Sequence, residues 1–399
     1  MRLSPPSSTR RMLGAAGAAL ALTLAAGCTA PGGGPLPGAA PVLRPGQLLT
    51  AAPATGSAAL PNAARTDLIT YASRDAAGKS IVVSGTVAIP RSPAPPGGYP
   101  VISWAHGTSG YADTCAPSED TPDGPDHDYF AVIDPTLDSW LSLGYAVVQT
   151  DYEGLGTPGG HPYINGVSEA NSVTDIVRAG RTLDSRLSRN WVVMGHSQGG
   201  QAALFTATRA AKYAPELRLR GAVPIAPGGV GLAQTVPYIQ SNQPGAAAAE
   251  AFLPLILLGA QAADPAVRPE ALLSDAALPA LTVARTGCLA QIRAVPPIPP
   301  AEYFRSGADF TALTDYLTEQ DPSRTDPQVP TLIAQGTADQ LVAKPGTDAL
   351  VQTLCGKGVN VQYRVYAGQD HRGTVAASLT DAQRFVSQVL SGRVPPTSC

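Results

Sequence analysis

One serine set between glycines, five histidines and a scatter of aspartates hold most of the chemistry open to this chain of 399 residues. The serine is Ser197, in Gly195-His196-Ser197-Gln198-Gly199, with an apolar run at 191–194 before it and an Ala-rich helical pattern at 201–211 after it. Gly-x-Ser-x-Gly between a strand and a helix is a nucleophile elbow: its sharp turn strains the central residue, and a Cβ on either glycine would strike a neighbour. Ser197 is therefore the candidate nucleophile. A serine hydroxyl at neutral pH needs a base. Of His106, His127, His161, His196 and His371, only His371 follows Ser197, which the order serine, acid, histidine requires after such an elbow. The acid must hold the imidazole in its working tautomer. Asp339 closes a strand-like run and is the candidate; Asp348 falls in a helical pattern, and Asp370 adjoins His371 too closely to reach its ring.

Acyl transfer from such a serine also needs N–H donors aimed at the developing oxyanion, each worth roughly 3 kcal/mol. The elbow supplies the backbone N–H of Gln198. A second donor is expected from Trp104-Ala105-His106-Gly107-Thr108-Ser109-Gly110, where Thr108 is favoured and Gly110 comes next. His106 reads as a support for that loop.

These groups can act only if strands deliver them to one edge. Apolar runs predict eight strands, at residues 66–72, 80–89, 99–105, 145–150, 191–194, 219–225, 330–335 and 361–366. The first two flank Ala76-Ala77-Gly78-Lys79 and read as a hairpin. Helical patterns occupy 137–143, 168–183, 201–214, 346–354 and 381–390. The alternation predicts an α/β fold. An eight-stranded, mostly parallel sheet with the serine after its fifth strand is the α/β-hydrolase order. Residues 227–330 break the rhythm with helical stretches at 246–262 and 266–281 and the knot Pro296-Pro297-Ile298-Pro299-Pro300. A structureless loop of that length does not suit a compact domain, so a helical cap over the site is expected at 228–325, between the sixth and seventh strands. Its run Phe252-Leu253-Pro254-Leu255-Ile256-Leu257-Leu258 fits an acyl-chain pocket and a cap core equally well.

Residues 1–28 read as an export signal: Arg2, Arg10 and Arg11 precede an Ala/Leu/Gly run that ends at Cys28 and contains no acid. Arg10-Arg11 resembles a twin-arginine signal and the small residues before Cys28 a lipobox. A lipid anchor on Cys28 is expected, with plain cleavage and release as the alternative. The run is too short and Gly-rich for a membrane span. Residues 29–60, rich in Pro, Gly and Ala, read as a flexible spacer, and 61–399 as one catalytic domain large enough to bury a sizeable core. The formal charge of −3 becomes −6 without the three arginines of the signal, which argues against nucleic acid as a partner. Cys115, Cys288, Cys355 and Cys399 make an even set in an exported chain. Two disulfides are expected, three pairings are open, and no Cys-x-x-Cys spacing suggests a metal.

Together these pieces resemble the secretory lipase family, the lipase A type of fungi and actinobacteria. The resemblance rests on Ala105-His106-Gly107-Thr108 with Cys115-Ala116-Pro117-Ser118, on the elbow through Gly200, on the segment from Gly336 to Asp339, and on His371. Most specific is Asp151-Tyr152-Glu153-Gly154-Leu155-Gly156-Thr157-Pro158-Gly159-Gly160-His161-Pro162-Tyr163. The resemblance covers the chain from about residue 65 onward. It implies a capped α/β-hydrolase that cleaves carboxylic esters without cofactor or metal. It also implies the pairings Cys115 with Cys288, tying cap to core, and Cys355 with Cys399, pinning the C-terminus. The spacer and lipobox-like segment are not part of the fungal pattern and favour an anchored bacterial enzyme. Within the segment from Asp151 to Tyr163, Glu153 is a candidate substrate or triad contact, but a Gly-rich turn closed by Tyr152 is the preferred reading.

The leading expectation is an exported serine hydrolase acting on acylglycerols or other lipid-like esters. A serine peptidase of the same fold would need carboxylates to hold a charged amino terminus; Glu302, Asp309, Asp315 and Glu319 are the candidates. A non-catalytic surface lipoprotein is the third reading, and the intact serine, aspartate and histidine weigh against it. Acyl-chain length and oligomeric state leave no mark in the sequence.

Overall fold

Runs of Val, Ile, Ala and Trp, apolar on both faces, build the middle of the sheet. In the computed structural model, which describes residues 43–242 and 246–399, nine strands form one sheet. They are β1 (Leu48–Pro53), β2 (Ala63–Arg74), β3 (Ser80–Pro90), β4 (Tyr99–Ala105), β5 (Ala146–Thr150), β6 (Leu187–His196), β7 (Arg218–Ile225), β8 (Thr331–Gly336) and β9 (Val361–Tyr366). Their spatial order is β1, β2, β3, β5, β4, β6, β7, β8, β9. The pairs from β1 to β5 are antiparallel, and those from β5 through β4 to β9 are parallel. Burial on both faces is what parallel strands covered by helices require.

Helices α1 (His127–Ser142), α2 (Gly166–Leu183) and α3 (Gln198–Tyr213) follow β4, β5 and β6. Between β7 and β8 come α4 (Thr235–Gln240), α5 (Ala246–Glu250), α6 (Leu253–Ala263), α7 (Pro269–Leu272), α8 (Leu278–Thr286), α9 (Leu289–Arg293) and α10 (Thr311–Glu319). Helices α11 (Lys344–Gly356) and α12 (Gly373–Leu390) follow β8 and β9. One face of the sheet packs on α2 and α3 through Val173, Ile176, Ala203 and Ala207. The other packs on α1 and α12 through Ile133, Trp140, Val375 and Phe385. The helices between β7 and β8 have an apolar core of their own, in which Leu253, Leu257, Leu281 and Leu313 close on Tyr163 and Ile164.

The eight expected strands are all present, and the ninth is a correction. Strand β1 lies inside the stretch read as a spacer at 29–60, and pairs Thr50 with Thr70 and Ala52 with Leu68. Only Leu48-Leu49 marks it in the sequence, because an edge strand with exposed residues needs little apolar pattern once a long partner offers its backbone. Several helices start earlier than their apolar pattern. Helix α1 begins at His127, ten residues before the expected 137–143, and runs through Pro135. The expected helices at 246–262 and 266–281 are each broken in two, with Pro254, Pro269 and Leu278-Pro279 at the new starts. The export signal and Cys28 lie outside the described residues.

Two disulfides join Cys115 to Cys288 and Cys355 to Cys399. The first ties α9 of the cap to the segment behind β4; the second pins the C-terminus to α11.

Candidate active site

Strand β6 ends at His196, and α3 starts at Gln198, so Ser197 alone makes the turn, at φ 60° and ψ −118°. A non-glycine residue held there stores strain. The turn is over-determined: Ser197 N–H donates to the Ile225 carbonyl (2.9 Å), and the Ser197 carbonyl accepts from Gly228 N–H (2.9 Å). A Cβ on Gly195 would strike the Gly199 carbonyl, and one on Gly199 the Ala105 carbonyl.

At the ends of β8 and β9, the buried side chains of Asp339 and His371 meet: His371 Nδ1–H donates to Asp339 Oδ2 (2.8 Å). Because the partner is a carboxylate, Nε2 is the nitrogen left to act as a base. Asp339 also accepts from the backbone N–H groups of Leu341 (2.9 Å) and Val342 (2.8 Å) and from Gln335 Nε2 (3.2 Å). Burial opposes its ionisation, but the bond to His371 and these N–H donors outweigh it and hold the carboxyl below its usual range. The two loops are laced together by Thr337 N–H to Tyr366 O (3.0 Å) and Ala338 N–H to Gln369 O (3.0 Å).

Ser197, His371, Gly107 and Thr108 line one small pocket of about 20 Å³, whose other walls include Phe252, Leu289 and Leu341. Thr108, expected to supply the second donor, lines this pocket, and its hydroxyl bonds the Tyr163 hydroxyl (2.7 Å). Gly110, the next expected donor, bridges Cys288 beside the Cys115–Cys288 disulfide. The disulfide and the cap claim the end of the loop, and that leaves Gly107-Thr108 next to the serine. Ser197 and His371 share the pocket without a hydrogen bond within 3.5 Å between their side chains; such bonds often close only around substrate.

Two residues that the sequence reading passed over connect these parts. Gly107 N–H donates to Tyr129 Oη (2.8 Å), Tyr129 O–H donates to His196 Nδ1 (3.1 Å), and His196 Nε2–H donates to the His371 carbonyl (3.0 Å). The relay joins the oxyanion loop, the elbow and the histidine loop. Burial, then the neighbouring His371, drives the His196 pKa well below the usual histidine range, so His196 stays neutral. In the sequence, His196 stood at a variable position of the elbow motif, and Tyr129 lay before Pro135 in a stretch with no assigned helix.

The segment from Asp151 to Tyr163 proves to be a turn. Tyr152 (φ 71°), Gly154 (φ 73°) and Gly156 (φ 66°) make it, and Tyr152 O–H donates to the His106 carbonyl (3.0 Å). Asp151 Oδ1 accepts from Ser118 N–H (3.0 Å), joining two of the family motifs. The Glu153 carboxylate bonds Ser168 Oγ rather than the Asp339–His371 pair. His161 Nδ1–H donates to the Glu153 carbonyl (2.8 Å), leaving Nε2 to accept from Gln198 Nε2 (3.1 Å). Gln198 also donates to Glu169 Oε1 (2.7 Å), which accepts from Ile164 N–H (3.0 Å) as well. Burial, partly offset by those two donors, pushes the Glu169 carboxyl up to about 8. The side chain of the proposed oxyanion residue is thus clamped from both sides. His106 is buried as a brace, with Nδ1 2.7 Å from the Gly107 carbonyl, and burial lowers its pKa to about 4.

The run at 252–258 divides between its two expected roles: Leu253, Leu255, Leu257 and Leu258 are cap core, whereas Phe252 lines the serine pocket. Next to that pocket is a cavity of about 380 Å³, walled by Pro254, Ile292, Val295 and Ile298 and sharing Arg293 and Leu341 with it.

The family description "secretory lipase" matches residues 133–397, about two thirds of the chain. The chain belongs to the secretory lipase family. Lipase A of Moesziomyces aphidis is 26% identical over 348 residues, which cover 82% of this chain and 73% of that protein. Among solved structures, Candida antarctica lipase A in its closed state superposes with a TM-score of 0.75 at 23% identity, covering 90% of this chain and 85% of the other. The rice cell wall degrading esterase LipA from Xanthomonas oryzae superposes at 0.69 with 21% identity, covering 88% and 100%. This secretory lipase is a carboxylic ester hydrolase on an α/β-hydrolase fold.

Proposed function

We propose that this secretory lipase hydrolyses lipid-like esters, acylglycerols among them, through Ser197, His371 and Asp339. The observation that carries the proposal is the joint occupation of one pocket by Ser197, His371 and Thr108, with His371 held by Asp339 and an apolar cavity sharing two walls. His371 Nε2 takes the Ser197 proton as Oγ attacks the ester carbonyl, and the N–H groups of Gln198 and Thr108 receive the oxyanion. His371 then returns the proton to the departing alcohol. Water, deprotonated by the same imidazole, cleaves the acyl-serine to a carboxylic acid and restores Ser197. The acyl chain occupies the cavity lined by Pro254, Ile292 and Ile298.

Hydrolysis of p-nitrophenyl esters from acetate to palmitate by residues 29–399 tests this, with Ser197→Ala as control. A maximum at medium or long chains that vanishes in the variant is expected. Turnover confined to acetate and butyrate would exclude the cavity as an acyl site.

A single catalytic domain with its cap at 228–325 belongs to the same proposal, as does export with a lipid on Cys28. The family and the two disulfides support export. Palmitate labelling in the native host, lost in Cys28→Ser, tests the anchor; label persisting in that variant would remove it.

A further inference from the structure

The peptidase alternative required carboxylates at the site, and Glu302, Asp309, Asp315 and Glu319 are all exposed and absent from the serine pocket. The charged residues that do line the pocket, beside His371, are cations. Arg293, the last residue of α9, and Arg372, next to the base, both wall the space that holds Ser197. The guanidinium carbon of each sits over an aromatic ring: Arg293 is 5.3 Å from the Phe252 ring centre and Arg372 is 5.3 Å from that of Tyr129. A cation held over a ring face keeps N–H groups for a further acceptor. Among the described residues, neither forms an ion pair within 4.0 Å.

Two cations this close to one pocket oppose each other. Arg293 is exposed as a whole residue, but partial desolvation of its guanidinium first, and the charge of Arg372 second, lower its pKa. The nearby carboxylate is Asp126, whose Oδ1 accepts from Ala290 N–H at the start of α9 (3.1 Å). Glu250 lines the adjoining cavity with Arg293, where burial raises its pKa. Neither acid is paired with an arginine of the pocket. A charge pair at the nucleophile that Asp126 offsets only at a distance, without an ion pair, is complementary to an anion that arrives with the substrate.

We infer that Arg293 and Arg372 form an anion subsite, and that the preferred esters carry an oxyacid group, carboxylate or phosphate, a few bonds from the scissile carbonyl. This rests on Ser197 as the nucleophile, and it names the substrate class of that site. Planar guanidinium edges match both groups, so the two sources are separated by substrate rather than by geometry.

The test compares kcat/KM for 4-butyryloxybenzoate and for 1-butyrylglycerol 3-phosphate with that for neutral methyl 4-butyryloxybenzoate. The enzymes are the wild type, Arg293→Gln, Arg372→Gln, the double variant and Arg372→Lys. The readout is the anionic-to-neutral ratio within each protein, so a general loss of activity divides out, and thermal unfolding verifies the fold. The expected wild-type ratio is about 10 or more for at least one anion, from one or two charge-assisted contacts. It should fall toward 1 in the double variant, recover in part with Lys, and shrink as salt rises. The larger ratio identifies carboxylate or phosphate. A wild-type ratio at or below 1 for both anions, or a ratio that survives both substitutions, overturns the subsite. Failure to hydrolyse the neutral ester at all would instead count against Ser197 as the nucleophile.

Discussion

On the sheet side of the serine pocket, Gly107, Tyr129, His196 and His371 are joined head to tail by three hydrogen bonds, and Asp339 is gripped by four donors. On the cap side, Phe252, Leu289 and Arg293 come from a helical layer whose interior is almost wholly Leu, Ile, Val and Ala. The ties of that layer to the sheet side are scattered: Leu289 N–H to Ser109 O (2.7 Å), Ala290 N–H to Asp126 (3.1 Å), Gln201 Nε2 to the Gln320 carbonyl (2.6 Å) and the Cys115–Cys288 bond. Directional bonds fix distances; apolar packing fixes volume and tolerates exchange of one side chain for another of similar size. The difference assigns rate to the sheet side and substrate choice to the cap.

The largest effect should come from the sheet side. Asp339→Asn keeps the shape but gives the His371 ring the wrong partner, and kcat should fall roughly 10³- to 10⁴-fold in a protein that is still folded, with a lowered thermal midpoint. Steady-state kinetics on p-nitrophenyl butyrate decide it; a loss below tenfold would make Asp339 a bystander.

The two disulfides set the regions against each other directly. Their sequence separations are 173 and 44, so loop entropy alone makes loss of Cys115–Cys288 about 1 kcal/mol more costly. Its loss also frees the oxyanion loop from α9. Cys115→Ser with Cys288→Ser should therefore reduce kcat about tenfold, against less than about twofold for Cys355→Ser with Cys399→Ser. Equal kinetic effects of the two pairs would erase the distinction.

The last effect, on stability and not on rate, concerns the clamp on Gln198. Glu169 titrates at about 8 when folded, and near 4.3 when unfolded. Between those values the native state holds a proton that the unfolded chain has released, so stability falls as pH rises through this window, by up to about 1.4 kcal/mol per pH unit. Below pH 4 the contribution is flat. Glu169→Gln should make the wild-type slope shallower between pH 6 and 8 in urea unfolding, the buried Asp126, Asp134 and Asp151 keeping part of it. A variant that keeps the slope would put the titrating group elsewhere.

How much of this was legible in the sequence followed from how local each constraint is. The elbow is local: two glycines, a strand and a helix within a few residues, so Ser197 could be found from spacing. Asp339 and His371 could be proposed as partners because chain order and strand ends narrow the choice, and their side chains meet at 2.8 Å. Tyr129, His196 and Gln335 were missed because their roles depend on partners far along the chain; His196 and His371 alone are 175 residues apart. Gly110 could not be set apart from Gly107 because the loop's glycines look alike until a disulfide claims one of them. Strand β1 left no pattern because its side chains are largely exposed and its order comes from the backbone of β2. In the cap, helical periodicity revealed the layer, but which residues face the serine depends on packing that periodicity does not encode. Arg293 and Arg372 went unnoticed for that reason.

The most direct test of the central claim is covalent trapping with a p-nitrophenyl alkylphosphonate, which mimics the tetrahedral intermediate, followed by peptide mass spectrometry. One equivalent of p-nitrophenol released, with a single adduct on the peptide containing Ser197 and none on Ser197→Ala, is the predicted result. An adduct on another residue, or an active enzyme that resists the reagent, would contradict it.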